Sequence, residues 1–141
     1  MTEIRVLAVR QPWASLIVEG LKTIEVRSKP TNIRERVAIY ASRNYNREDF
    51  LKLRENPNYI MRSWDFGKIL GTVEIVASSG CNDEVEYALN KREHSAPDEY
   101  FNEGKTYFWH LRRPVKFETP IPYKPPKGAV VWSKTELPEG Y

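Results

Sequence analysis

Cysteine and histidine are nearly absent: the chain of 141 residues has one cysteine, Cys81, and two histidines, His94 and His110. A single thiol excludes an intramolecular disulfide framework and points to a reducing compartment, so the cytoplasm is the expected location. With no C-x-x-C or H-E-x-x-H pattern, and with the histidines far apart, neither a metal nor another cofactor is predicted. No apolar run approaches the length that crosses a bilayer, and the opening Met1-Thr2-Glu3 carries no cationic leader. Neither export nor a membrane partner is expected. Glycine is sparse too, with 7 residues that never cluster into a phosphate-binding loop, and Ser15, Ser42 and Ser133 lack the setting of a nucleophile elbow. These gaps exclude a P-loop nucleotide site and a serine-hydrolase triad. There is no internal repeat or heptad pattern.

What is present suffices for one core. The length is that of a single domain, predicted over 1–141. An excess of 22 Lys and Arg over 19 Asp and Glu gives a net charge of +3, which permits a nucleic-acid partner without requiring one.

Positions 9–28 hold the densest signals. Pro12 suits the first turn of a helix, where a missing N–H costs no hydrogen bond, and Gly20 suits the position just past its end. Trp13 lies three and four residues before Leu16 and Ile17, which places them on one apolar face. After Gly20 the period changes to two, with Ile24 and Val26 alternating against Thr23, Glu25 and Arg27 as in a half-buried strand. Polar groups collect at the ends of these elements: Arg10 and Gln11 entering the helix, Lys22 leaving it.

Elsewhere, Ile4-Val9 is an apolar run broken by Arg5, read as a strand covered on both faces or closing a barrel. Residues 28–35 form a basic loop, and Val37-Ala41 a barrel strand. Asn46 caps an amphipathic helix with Glu48 and Asp49 in its first turn, which Asn56-Pro57-Asn58 ends. Tyr59 to Phe66 has no regular period, although Met61, Trp64 and Phe66 are available to fill a core. Ile69-Val76 is a strand in which Gly71 marks a bulge or a close backbone approach. A second surface helix is predicted from Asp83 to Arg92, capped by Asn82 or Asp83, then a loop from His94 to Lys105. Tyr107-Leu111 is a strand that Pro114 interrupts or bends, Val115 to Ile121 pairs again, and Gly128-Trp132 is the last strand. Five or six strands with two or three helices, and no regular β-α-β alternation, predict an α+β domain around a small barrel.

The run Arg10-Gln11-Pro12-Trp13-Ala14-Ser15-Leu16-Ile17, followed by Gly20-Leu21-Lys22-Thr23-Ile24-Glu25-Val26-Arg27, resembles the signature of the ASCH domain family in its QPWA and G-x-K-x-x-E-x-R elements. Gly71-Thr72-Val73-Glu74-Ile75-Val76 and Tyr107-Phe108-Trp109-His110-Leu111 also look like the family. The resemblance implies a PUA-like β-barrel and binding to RNA or other nucleic acid. Some members hydrolyse acetylated cytidine and others have been assigned nuclease activity. The acetylcytidine hydrolases carry a threonine where this chain has Glu25, with a lysine matching Lys22 and a later glutamate for which Glu74, Glu84 and Glu86 all stand open.

An unbroken strand register would set Lys22 beside Ile24 and Val26 at the rim of the apolar interior, where a partly desolvated ammonium can hold phosphate or serve as a base; the plain alternative is a solvated junction lysine. Glu25 and Arg27 share the opposite face and can pair with each other or with neighbouring strands. Lys22 and Glu25 form an acid–base couple only if Lys22 lies in the preceding turn. Arg10 and Gln11 stand beside a helix N-terminus, which favours an anion. Trp13 either stacks a base or fills the core, and Trp132 poses the same question. The expectation is a nucleic-acid-binding module, for RNA or single-stranded DNA, that takes a single-stranded or flipped nucleotide in a cleft of Arg10, Gln11, Trp13, Lys22, Glu25, Arg27 and Ser28. Basic loops with Lys29, Arg34, Arg43, Lys124 and Lys127 would track phosphates outside it. The alternative is a small hydrolase of an acetylcytidine-type amide or of RNA phosphodiesters, with Lys22 and Glu25 catalytic.

Overall fold

The computed structural model describes residues 1–55 and 62–141. The turn predicted at Asn56-Pro57-Asn58, and Tyr59 and Met61 of the irregular stretch, lie outside the described residues. Six strands form one mixed sheet: β1 (Thr2–Arg10), β2 (Ile24–Arg27), β3 (Arg36–Ser42), β4 (Lys68–Gly80), β5 (Tyr107–Pro122) and β6 (Trp132–Leu137), in the order β2-β5-β4-β3-β1-β6. Helices α1 (Trp13–Val18), α2 (Arg47–Arg54), α3 (Glu84–Leu89) and α4 (Lys91–His94) surround it, with a 3-10 turn at Asp98–Tyr100. The domain is α+β. No ladder joins β2 to β6 among the described residues, so the sheet is not closed into the barrel expected from the sequence. Side chains span the gap instead. Arg27 of β2 donates to the Ala8 carbonyl of β1 at 2.9 Å, and Trp109 of β5 stacks on Trp132 of β6 with centroids 6.0 Å apart.

The continuous apolar run of β1 is explained by burial on both faces. Leu7 and Val9 join α1, Val37, Ile39, Val73, Ile75 and Leu111 in the main core, while Val6 packs with Ala38, Tyr40, Ile69, Phe117 and Leu137 on the other face. A third cluster, Ile24, Cys81, Tyr87 and Phe108, closes the β2 end of the sheet. Asn46 and Asp83 cap α2 and α3 by accepting the Glu48 and Glu86 N–H groups. Gly71 sits where the register shifts, and a Cβ there would lie 2.0 Å from the Val115 carbonyl oxygen. The close approach predicted for it is real.

Several boundaries move. The helix predicted from Asp83 to Arg92 breaks at Asn90, whose backbone leaves the helical region, and α4 then reaches His94, so the loop starts later. Pro114 interrupts the pairing, as expected, without ending its strand. Residues 113 and 114 fall in the register shift between the pairs Glu74–Arg112 and Thr72–Val115, so the absent N–H costs no ladder bond. The last strand is Trp132–Leu137 rather than Gly128-Trp132, because the pairing with β1 begins at Trp132. No helix of the described residues is long and apolar enough to cross a membrane.

Candidate functional site

Gln11 organises the entrance to α1. Its side-chain oxygen accepts the Ser15 N–H at 2.9 Å, and its amide nitrogen donates to the Ser15 Oγ at 2.7 Å and to the Asp65 carbonyl at 2.9 Å. Fully buried and consumed by these bonds, Gln11 holds the helix and does not line the cavity described below. At the far end Gly20, with φ +79°, reverses the chain, and the Leu21 and Lys22 N–H groups both return to the Leu16 carbonyl. Thr23 then donates to the Glu93 carbonyl at 2.8 Å, tying this turn to α4. Lys22 therefore precedes β2 instead of continuing its register, and it is aimed inward.

The consequence is a buried charge cluster. Lys22 is 2% exposed and Glu25 6%. The Lys22 ammonium donates to the His94 carbonyl, lies 3.5 Å from Glu25 Oε1 and sits 5.5 Å from the Trp13 ring centroid. Glu25 Oε2 accepts from Arg27, at 2.9 Å from Nε and 2.8 Å from Nη2, and the guanidinium lies over the Trp109 ring at 5.4 Å. One carboxylate thus bridges two cations, the arrangement a low-dielectric site needs if its charges are not to be stranded. Burial nevertheless lowers the Lys22 pKa to about 8, against the pull of Glu25. His94 is held neutral: burial lowers it to about 4, and its ring bridges the Ala96 N–H (2.9 Å, accepted at Nδ1) and the Tyr87 carbonyl (2.8 Å from Nε2). Because Nδ1 accepts, Nε2 must carry the proton that goes to Tyr87.

This cluster forms the floor of a cavity of about 400 Å³. Parallel pairing of β1 with β3 brings the strand ends Arg10 and Ser42 side by side at its rim, with Asn44 just beyond. Opposite them, the Ala8 N–H holds the Val131 carbonyl at 3.0 Å, so the exposed Val130 and Val131 form an aliphatic lip. Trp13, Tyr100, Val26 and Ala96 complete the wall, and Tyr100 donates its hydroxyl to the buried Asp49. The lining carries three cations, Arg10, Lys22 and Arg27, against one carboxylate, Glu25.

Of the residues expected in the cleft, Arg10, Trp13, Lys22, Glu25 and Arg27 meet here; Gln11 and Ser28 do not. Lys22 lies deeper than the rim position expected from a strand register. Trp13 both fills the core and faces the cavity, and Trp132 is half-buried, packed against the core and stacked on Trp109. Lys29, Arg43, Lys124 and Lys127 are exposed and outside the lining, and the Lys29 carbonyl accepts the Trp109 indole N–H at 2.9 Å. None of the three glutamates left open reaches the cavity. Glu74 pairs with Arg36 and Arg113, Glu86 accepts the Asn82 N–H, and Glu84 is exposed. Sequence reasoning missed Ala8, Val26, Ser42, Asn44, Ala96, Tyr100, Val130 and Val131. For Ser42 and Asn44 a signal existed, the end of an apolar strand, but its pairing with β1 was unknown; for the others there was none. Among the described residues no group of three His, Cys, Asp or Glu side chains gathers as a metal site would require.

Among curated proteins none matches this chain. The crystal structure of ASCH from Zymomonas mobilis is similar over 96% of this chain and 87% of that one, with a TM-score of 0.60 at 20% identity. A serine-to-alanine mutant of that protein, at 20% identity and over 96% of this chain and 88% of that one, gives the same TM-score of 0.60. At this identity the likeness speaks for the fold. The family model of the ASCH domain matches residues 7–121, which takes in the end of β1 from Leu7, the charged floor and nearly all of β5. This chain therefore belongs to the ASCH domain family.

Proposed function

We propose that the cavity receives one nucleotide of a nucleic-acid strand, unstacked from its neighbours. The observation that carries this reading is the composition of the wall: about 400 Å³ of space in which Arg10, Lys22 and Arg27 outnumber Glu25 beside the aromatic faces of Trp13 and Tyr100. Such a volume suits a small organic ligand, cations suit its phosphate, and rings suit its base. The ASCH domain is a PUA-like fold generally associated with RNA binding, which supports the same reading. Arg10 stands at the mouth, where a phosphate stays near water, while the floor meets the base. Lys29, Arg43, Lys124 and Lys127 track phosphates beyond the mouth. Titration of nucleoside monophosphates and of short RNA and DNA strands, across a salt series, tests it. Binding that weakens with salt and fails in Arg10→Ala is the expected result. A folded protein that binds none of these probes at low salt overturns it.

One observation favours a second reading, a hydrolase. Lys22, with its pKa lowered to about 8 and 3.5 Å from Glu25, has the makings of an acid–base couple. Incubation with N4-acetylcytidine and with single-stranded RNA decides this. Turnover that rises through pH 8 and is abolished in Lys22→Met establishes an enzyme; absence of product from both substrates leaves a binding module.

A further inference from the structure

A second aromatic surface adjoins the cavity. Asn44 lines the rim, and the next residue, Tyr45, is 58% exposed. Its ring does not stand alone. It meets Phe50 at 5.7 Å and Phe66 at 5.4 Å between centroids, and Phe50 in turn meets Trp64 at 5.4 Å. Phe50, Trp64 and Phe66 are half-buried, so they support Tyr45 from beneath while its outer face stays in water. Two guanidinium groups flank the cluster. Arg62 lies 4.2 Å over the Trp64 ring but is already paired, its Nη1 donating to both carboxylate oxygens of Glu19 at 2.7 and 2.6 Å, so the cation offered to a ligand is Arg43, whose guanidinium lies against Gly67, where a Cβ would approach its Cζ to 2.7 Å. Gly67, with φ +71°, is required for its backbone angle, while the exposed Arg43 side chain could move aside from a Cβ there.

An exposed aromatic held rigid by other rings, with Arg43 two residues before it and a nucleotide-sized cavity one residue away, has the features of a stacking platform for a strand. Every base offers a π face, so such contacts tolerate any sequence, while guanidinium groups hold the backbone between successive bases. We propose that Tyr45, supported by Phe50 and Phe66, stacks the nucleotide next to the one held in the cavity, and that Arg43 contacts the phosphate between them. The proposal rests on the nucleic-acid reading of the cavity and adds that the recognised unit is a strand longer than one nucleotide. Continuity with a cavity whose lining carries Arg10, Lys22 and Arg27 against Glu25 favours this occupant over an acid-poor protein segment, and the rigid support of Tyr45 means that little ordering is needed on binding.

The test compares uridine monophosphate with labelled tetranucleotides of RNA and DNA, each titrated against the wild type, Tyr45→Leu and Tyr45→Trp. Tyr45→Leu keeps apolar volume on the support but removes the π face, and Tyr45→Trp retains it. Tyr45→Leu should bind tetranucleotides roughly 5- to 150-fold more weakly, the loss of one stacked base, while its affinity for the mononucleotide stays within about twofold of the wild type. Tyr45→Trp should bind both probes as the wild type does. Unchanged tetranucleotide affinity in Tyr45→Leu overturns the platform and leaves the ring a lid for α2. An equal loss for mononucleotide and tetranucleotide overturns it too, since Tyr45 would then act through the shape of the cavity. If the wild type binds neither probe, the reading of the cavity fails first and the platform with it.

Discussion

The floor and the rim of the cavity use the same charged residue types for opposite purposes. On the floor, Lys22, Glu25 and Arg27 spend their hydrogen bonds on one another and on the backbone of His94 and Ala8. At the rim, Arg10 is exposed and makes no hydrogen bond or ion pair among the described residues. The floor's charges hold the fold, because ions taken out of water must find partners within it; the rim's charge remains available to a ligand, because water already satisfies it. The same contrast separates His94, neutral and bonded at both nitrogens, from the solvated lysines of the outer loops.

Breaking the floor should have the largest effect. Lys22→Ala leaves Glu25 Oε1 and the His94 carbonyl without the ammonium, and a loss of about 3–5 kcal/mol in urea-unfolding free energy at pH 7 is expected. Lys22→Met, which keeps volume, should lose less. The native pKa of Lys22, about 8, lies below its ordinary 10.5, so between these values the unfolded chain binds more protons and stability rises with pH. The advantage of wild type over Lys22→Met should therefore grow by up to about 3 kcal/mol across that window. A constant difference would show that the ammonium is not desolvated.

His94 sharpens the comparison from the acid side. Its native pKa is about 4 against an ordinary 6.5, so the unfolded chain protonates first as pH falls. The contribution should be intact above pH 6.5 and lost progressively down to about 4, by up to about 3 kcal/mol, in wild type but not in His94→Gln. Denaturant melts at half-unit pH steps measure it, and parallel curves for the two proteins would refute a neutral buried ring.

At the rim the effects should move from stability to binding. Arg10→Ala is expected to leave unfolding free energy within about 0.5 kcal/mol, while the affinity for a nucleoside monophosphate falls about 10- to 150-fold, as for one lost charge-assisted hydrogen bond. If Arg10→Ala unfolds the protein instead, the division between floor and rim is wrong. Farthest out, Lys127→Ala should change neither stability nor preference, and should only reduce the slope of log affinity against log salt by about 1. A change in which strand is preferred would place Lys127 against a base.

Local rules determined α1 and the turn into β2: Pro12 and Gly20 mark the ends, and the period changes between them. They also determined the cap at Asn46 and narrowed that of α3 to Asn82 or Asp83, since each depends on an orphan N–H that one side chain satisfies, and they marked Gly71 as a bulge or close approach, although the Val115 carbonyl it meets belongs to β5. The i,i+2 pairing of Glu25 with Arg27 was legible for the same reason. The depth of Lys22 was not, because its partner carbonyl at His94 lies 72 residues away and comes into place only when α4 folds against β2. Gln11 read as a ligand group until Asp65, 54 residues on, took its amide. The open sheet, with side chains in place of a β2–β6 ladder, depends on long-range strand order that no sequence period specifies. Ser42 joined the rim through a parallel strand pairing, and Tyr100 and Val131 joined the cavity through loops whose positions no local propensity fixes. Sequence alone determined elements and their ends, where the forces are local; tertiary structure decided which charges are buried and which remain free, because desolvation depends on everything that packs around a group.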